Sequence, residues 1–567
     1  MPRWQVPQID EAAAGGLAQA LQLRPLTARI LLARGLSAHP QVSRFLAPRL
    51  GDLRPPLGIA DLDRAVGRIE TALDRGERIG VFGDYDADGV TTAAVLAITF
   101  RALGGNVLAR VASRFSGYGL PPSEATRFAD AGCTVVVTGD CGTSDHEALA
   151  VARERGVDVV VIDHHQVPEG PCGAFALINP HRADDSFAFK GLASCGVAFY
   201  LAAALRTRLK LRQHPAAASF DPRTLLDLVA LGTIGDLVPL QDENRILVAA
   251  GLRELSARRR PGLRALAEIA ELDPRRPLDA TDVSFRLTPR LNAPGRLGEA
   301  QQALDLLLCE DPEEAGQRAQ QIDEVNRARQ KIQEEVWQAA LASALAQGDS
   351  AAIVVGEEGW HPGVVGIVAA KLVERFGRPA VVVGFKDGVG RGSLRTTGGF
   401  HLHAALMACA ADLRAYGGHA AAAGMTVERT SFAGFQLAFA AQAAAHREAR
   451  GDAQPDATAD AHAALADLDL GQVEELARLG PFGSANAEPL VALSGLAVRG
   501  SRVVGQKHLQ LTVSHGGTVV DGIGFGMAAV APADGSLVDV IACPEVDEYR
   551  GYKRTRLRFK QIAAAEG

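Results

Sequence analysis

Three carboxylates alternate in the segment Gly83-Asp84-Tyr85-Asp86-Ala87-Asp88-Gly89. Carboxylates crowded together repel one another, so such a cluster is unfavourable unless cations or hydrogen-bond donors compensate it. Their hard oxygens suit magnesium or manganese. The bland alternative is a loop whose acids cap a helix. A calcium loop of the EF-hand kind fits less well: its twelfth position takes Glu, and position twelve counted from Asp84 is Val95. Three more motifs follow: Asp140 in TGDCG (138–142), the triplet Asp163-His164-His165, and Asp236 in GTIGDLV (232–238). A lone Asp after an apolar run is often only a turn or a cap. Adjacent His residues point to opposite sides of the chain, and imidazole tolerates manganese well. Taken together, the four motifs offer more ligand atoms than one ion takes. Two divalent ions are the usual arrangement for in-line displacement at phosphorus.

Something must bring these motifs together. Residues 78–84 (RIGVFGD), 133–140 (CTVVVTGD) and 157–165 (VDVVVIDHH) read as buried strands, with helices at 91–102 and 145–155 between them. Continuous apolar strands joined by helices indicate a parallel sheet covered on both faces. Ligands bind such sheets at the carboxyl ends of the strands, where these acids and histidines stand. The last motif follows another apolar run, LLDLVALGTIG, and is expected at a strand end as well.

The chain is α/β in class, and its 567 residues are long enough for several domains. We expect a helical region over 1–75, a catalytic parallel-sheet domain over 76–310, a connecting helix over 311–347, a smaller α/β domain over 348–449 and a small β-barrel over 460–567. Residues 450–462 (RGDAQPDATADAH) read as a linker. The net charge of −7 argues against a protein coated in basic surface, though a local basic groove still holds phosphates within an acidic whole. The seven cysteines are scattered without a CxxC pair and read as reduced thiols of a cytoplasmic protein. The N-terminus lacks the pattern of a signal peptide, and no stretch reaches the roughly 18 uninterrupted apolar residues of a membrane span.

DYDADG, the following Asp, the DHH triplet and the late GD resemble the four motifs of the DHH phosphoesterase family. GGHAAAAG (417–424) is similar to the signature of its DHH-associated domain. The segments RFSGYGL (114–120), LASCGVAF (192–199), GDLVPLQDENRILV (235–248), PRLNAPGRLGEA (289–300), GWHPGVVGIVAAKL (359–372) and RLGPFGSANAEP (478–489) resemble the RecJ-type exonuclease branch. The barrel resembles an OB fold.

That resemblance implies two manganese or magnesium ions held by Asp86, Asp88, Asp140, His164 and Asp236, with Asp140 bridging. It places Asp84 and His165 at the same site as further ligands or as partners that orient them, His165 also orienting a substrate phosphate, puts His419 at the scissile phosphate or the one beside it, and makes metal-bound water, not a side chain, the nucleophile. Arg114, Ser116 and Tyr118 are implied for the pocket receiving the 5′ end. Arg296, Ser393, Arg395, Gly417, Gly418 and His419 are implied as phosphate contacts, glycines letting backbone N–H groups approach closely. In the barrel, Tyr549, Arg550, Tyr552, Lys553, Arg554 and Arg556 mix rings and cations as single-strand binders do; an edge strand with solvated Arg is the alternative. The implied activity is 5′→3′ hydrolysis of single-stranded DNA in recombination and repair by a monomer, with a single-strand-binding protein and a helicase as expected partners. Two departures stand out: motif two reads GDCG where a VDxG-like pattern is expected, and the chain ends soon after the barrel, where some relatives carry a further domain. A phosphodiesterase for short oligonucleotides or cyclic dinucleotides, and a non-enzymatic single-strand-binding scaffold, are the competing readings. The barrel argues against the first and the full carboxylate set against the second.

Overall fold

The computed structural model describes residues 4–114, 117–396, 399–450, 458–549 and 551–565. Residues 451–457 of the expected linker therefore lie outside the described residues. The first sheet contains β1 (Arg78–Gly83), β2 (Asn106–Val111), β3 (Cys133–Gly139), β4 (Asp158–Ile162) and β5 (Ala176–Ile178), all parallel, in the order β2-β1-β3-β4-β5. Alternate residues divide between two cores. Ile79, Val81, Val135, Val137, Val160 and Ile162 pack on one side; Phe82, Val136, Val159 and Val161 pack on the other. Both faces are thus covered, and a fully buried side chain such as Phe82 is worth roughly 1.5–3 kcal/mol. The strand order reverses between β1 and β3, and such a switch point opens a crevice at the carboxyl ends of the two strands.

Asp311 caps a 35-residue helix, Pro312–Ala346, which leads to the second sheet. That sheet has β6 (Ile353–Glu358), β7 (Ala380–Lys386), β8 (Val389–Arg395), β9 (Leu413–Gly418) and β10 (Ala422–Glu428) in the order β6-β7-β8-β10-β9, with only β6 and β7 parallel. The third contains β11 (Ala461–His462), β12 (Val491–Val504), β13 (His508–His515), β14 (Thr518–Gly524), β15 (Leu537–Tyr549) and β16 (Tyr552–Ala564). Pairing of β12 with β15 closes it into a barrel, which leaves no free edge among the strands it joins. The N-terminal helices divide: Leu17, Leu26, Ile30, Leu31 and Val42 join the barrel core, whereas Leu62, Val66 and Ile69 join that of the first sheet.

Two local expectations are corrected. The helix after β1 runs Ala87–Ala102, not 91–102, because the Asp86 side chain caps it by accepting from the N–H groups of Asp88 and Gly89. LLDLVALGTIG does not lead to a strand end. It forms the buried helix Leu226–Gly235, with Asp236 at its C-cap; a short, wholly apolar run cannot be told from a buried helix by periodicity. This helix packs on Asp242–Ser256 at Gly251, where a Cβ would lie 2.2 Å from the Leu226 carbonyl oxygen. Gly251→Val is predicted to destabilise the protein by about 1–3 kcal/mol through overpacking, read as a lower urea midpoint, and to displace Asp236.

Candidate active site

β1 and the helix it feeds cross almost in backbone contact. A Cβ on Gly83 would lie 2.3 Å from the Gly89 carbonyl oxygen, and one on Gly89 would lie 2.5 Å from the Asp84 amide nitrogen. Glycine at both places lets the strand end and the first helical turn share one corner, and Asp84, Asp86 and Asp88 all issue from it. The sheet ladder fixes the other motifs: Asp84 N–H donates to Gly139 O (3.1 Å), Asp140 N–H to Ile162 O (2.9 Å) and Asp163 N–H to Ile178 O (3.1 Å). Asp140 itself sits at φ 64°, a left-handed conformation that Asp tolerates better than most residues.

Side chains from all four motifs meet at the switch point. His164 Nε2 is 3.2 Å from an Asp140 oxygen, 3.4 Å from one of Asp236 and 4.0 Å from one of Asp88, yet it is buried without a hydrogen-bond partner. Asp88, His164 and Asp236 form one group whose ligand atoms lie within 4.8 Å of one another; Asp84, Asp86 and Asp140 form a second, and Asp140 with both histidines a third. The Asp140–His164 contact joins the groups. Asp88 is aimed by the N-terminus of the helix Ser194–Leu211, accepting from Ser194 N–H (2.7 Å) and Cys195 N–H (3.0 Å). Ser194 Oγ donates to Asp140 (3.2 Å).

Electrostatics sharpen the picture. Burial, then the neighbouring carboxylates Asp88, Asp86, Asp236 and Asp84, pushes Asp140 well above the ordinary carboxylate range. Burial, with Asp88 and Asp86, pushes Asp236 up to about 9. Burial likewise raises Asp84 and Asp88 and lowers His164. No Lys or Arg forms an ion pair with these acids among the described residues. The donor set therefore fits divalent cations: hard oxygens with one imidazole, too much negative charge to be stable alone, and two buried atoms without partners, His164 Nε2 and Asp84 Oδ1.

His165 is placed differently. Its Nδ1 pairs with Asp163 Oδ1 at 2.7 Å. Although burial opposes it, this bond brings Asp163 down to about 2 and, again against burial, raises His165. Tyr118 Oη donates to the Asp140 carbonyl (2.9 Å) and touches the same imidazole nitrogen (2.9 Å). His419, from the second sheet, stacks on the His165 ring at 6.2 Å. Asp163 and Ser194 were not singled out from sequence as site residues; both stand inside motifs that were noted, DHH and LASCGVAF, but nothing in the strings says where their side chains bind.

A cavity of about 530 Å³ adjoins the cluster. Tyr85, Arg114 and Tyr118 line one wall, and Arg391, Ser393 and Gly424 line the other. Arg114 Nε donates to Gly295 O (3.2 Å), Arg296 Nη1 to Gly363 O (3.0 Å) and Arg395 Nη1 to Leu394 O (2.8 Å), but none of the three forms an ion pair among the described residues. Gly417 and Gly418 end β9, beside His419. Ser116 and Arg550 lie outside the described residues, as does the side chain of Tyr549.

The barrel residues fare differently. Tyr552 is 82 % exposed, but Lys553 pairs with Glu474, Arg554 with Asp521 and Asp547, and Arg556 with Glu545 and Asp547. Arg558 pairs with Glu488 and Glu545. On the β12–β13 hairpin, by contrast, the side chain of Arg499 bonds Ser514 and that of Arg502 bonds Gln510, with no ion pair to either among the described residues, beside Lys507, His508 and the 59 % exposed Phe525.

Among protein families, residues 78–233 match the DHH family N-terminal domain, 348–445 the DHHA1 domain and 459–561 the RecJ OB domain. The chain is 35 % identical to the single-stranded-DNA-specific exonuclease RecJ of Bacillus subtilis (strain 168) over 574 residues, covering 100 % of this chain and 71 % of that protein. It is 36 % identical to the same-named protein of Dickeya dadantii (strain 3937) over 560 residues, covering 95 % and 96 %. It is similar to the crystal structure of RecJ in complex with Mn2+ from Thermus thermophilus, with TM-score 0.84, 32 % identity, and coverage of 100 % of this chain and 80 % of that one.

Because like charges crowd the site, removing one relieves the metal-free protein. In chelator, Asp140→Asn is predicted to melt above the wild type by calorimetry. Added Mn2+ then raises the wild-type melting temperature, by mass action on the folded state, and leaves the variant's unmoved.

Proposed function

The chain belongs to the RecJ family of single-stranded-DNA-specific exonucleases, and we propose that it removes 5′-mononucleotides from the 5′ end of single-stranded DNA with two divalent cations, manganese or magnesium. The observation that carries this reading is the pair of acidic groups joined through Asp140 and His164, opening on a cleft whose arginines form no ion pair among the described residues. We assign Asp86, Asp88, Asp140, His164 and Asp236 as ligands, with Asp84 beside them. When bound, the two cations supply Lewis acidity, acidifying water and offsetting charge on the phosphoryl oxygens.

The chain's own groups do the rest. Arg114, Arg296 and Arg395 draw the phosphates in as charged donors; Ser393 and the backbone at Gly417 and Gly418 add neutral contacts, and Ser116 belongs to the same reading. Tyr118 fixes the carbonyl of Asp140 and so the direction of its carboxylate. Asp163 favours the imidazolium form of His165 by accepting from its Nδ1–H, which leaves Nε2–H to donate to substrate, with His419 opposite it. Such hydrogen bonds, fixed in advance at the position of developing charge, are worth most where water is excluded.

The barrel takes the strand leaving the cleft. Since Lys553, Arg554 and Arg556 are engaged by carboxylates, the surface of Arg502, Lys507, His508 and Phe525 is the better match to phosphates and bases; Tyr549, Arg550 and Tyr552 stay in the reading as further strand contacts. Free cations neutralise phosphate at once, whereas paired ones must first give up an acid. We take the protein to act as a cytoplasmic monomer in recombination and repair, beside a helicase that opens duplex and a protein that coats the single strand. No helix among the described residues is long and apolar enough to cross a membrane.

A long DNA strand labelled at its 3′ end tests the activity. With Mn2+ it should shorten to a ladder from the 5′ end, and not at all with Asp140→Ala; an intact strand alongside rapid hydrolysis of dinucleotides would support a small-substrate enzyme instead. For the barrel, Arg502→Gln and Lys507→Gln should each reduce the log–log salt slope of single-strand binding by about 0.7, measured by fluorescence anisotropy, with Arg554→Gln changing it less.

A further inference from the structure

Arg114, Arg296 and Arg395 stand near enough to disfavour one another's charge. Burial first and then Arg114 lower both other guanidiniums, Arg296 to about 10. Like charges held in one cleft spread apart unless each is fixed. Arg296 is anchored across the cleft at Gly363 O, and Arg395 on its own strand at Leu394 O. Among the described residues the Arg114 side chain makes one hydrogen bond, from Nε to Gly295 O, and neither of its terminal NH2 groups has a partner. Its other contact is an aromatic face: the guanidinium carbon lies 4.1 Å from the centroid of the Tyr85 ring. Tyr85 is half-buried, lines the same cavity as Arg114, and is pinned from behind, since a Cβ on Gly295 would come 2.6 Å from the Tyr85 carbonyl oxygen. Gly295 therefore meets both partners, allowing the approach of Tyr85 and accepting from Arg114.

We propose that Tyr85 is the positioning residue for Arg114: its π face holds the guanidinium flat against the cleft wall and leaves the terminal NH2 groups free for a substrate phosphate. The inference rests on the reading above that Arg114 meets a phosphate, and it adds the residue that aims it. A guanidinium over a ring within about 6 Å is attracted by the ring quadrupole, more strongly where water is excluded. Such a hold survives approach of an anion, because the ring competes for none of the NH2 donors, whereas a carboxylate partner has to be displaced.

The interaction depends on ring electrons rather than ring size, which separates it from packing. Position 85 is replaced in the full chain by Phe, then by phenylalanines of increasing fluorination up to pentafluorophenylalanine, and KM, kcat and Mn2+ affinity are measured on single-stranded DNA. Phe should match the wild type. KM should rise stepwise with fluorination, roughly ten-fold at the end of the series, with kcat and Mn2+ affinity unchanged. In an Arg114→Met background the series should be flat. Two results would overturn the proposal: a KM indifferent to fluorination in the presence of Arg114, or a loss already complete at Phe, which would move the role to the hydroxyl. If Arg114→Met alone leaves KM unchanged, it is the phosphate reading of Arg114 that fails, and Tyr85 has nothing to aim.

Discussion

Asp84, Asp86, Asp88, Asp140 and Asp236 share one corner, where burial and the neighbouring carboxylates make Asp84, Asp88, Asp140 and Asp236 harder to ionise. No fold places acids in this way for stability, since burying unpaired charge is among the most unfavourable things a protein can do. The rest of the first domain is legible as a means of holding them together: ladder bonds at the ends of β1, β3 and β4, a glycine corner between strand and helix, and the N-terminus of Ser194–Leu211 aimed at Asp88. Cations resolve the repulsion, and they are also what phosphodiester hydrolysis needs.

The same logic, with signs reversed, governs the opposite side of the cleft. Arg114, Arg296 and Arg395 form no ion pair among the described residues, and in the proposed reading a substrate phosphate is their partner. On that reading the two surfaces suit one molecule, a phosphodiester backbone neutralised on one side by arginines and on the other by metal ions. In the barrel the balance differs, because β16 already supplies the acids of β15 with arginines. On the hairpin between β12 and β13, Arg499, Arg502 and Lys507 form no ion pair among the described residues.

Much of this was legible in the chain because β1, β3 and β4 are uninterrupted apolar runs that end in acid or histidine. The long helix after Pro312 was legible because it contains no further proline. Asp236 was singled out in the chain and does lie 3.4 Å from His164, but its setting was not legible, since a short apolar run fits strand and buried helix alike. Tyr85 lies within the most conspicuous motif, but its partner Arg114 comes from the end of a different strand. The neutralisation of Arg554 and Arg556 depends on which residues of β14 and β15 lie opposite them, and register across a closed barrel is not written in either strand alone. The packing of Ile30 and Leu31 on the barrel core is equally a property of the folded chain.

Central to the account is that the acidic corner is built for two ions at once. Anomalous diffraction from crystals grown with Mn2+ measures this directly. The account predicts two manganese peaks, one among Asp88, His164 and Asp236 and one among Asp84, Asp86 and Asp140, with Asp140 in reach of both. A single peak at saturating Mn2+, or two that do not share Asp140, would contradict it.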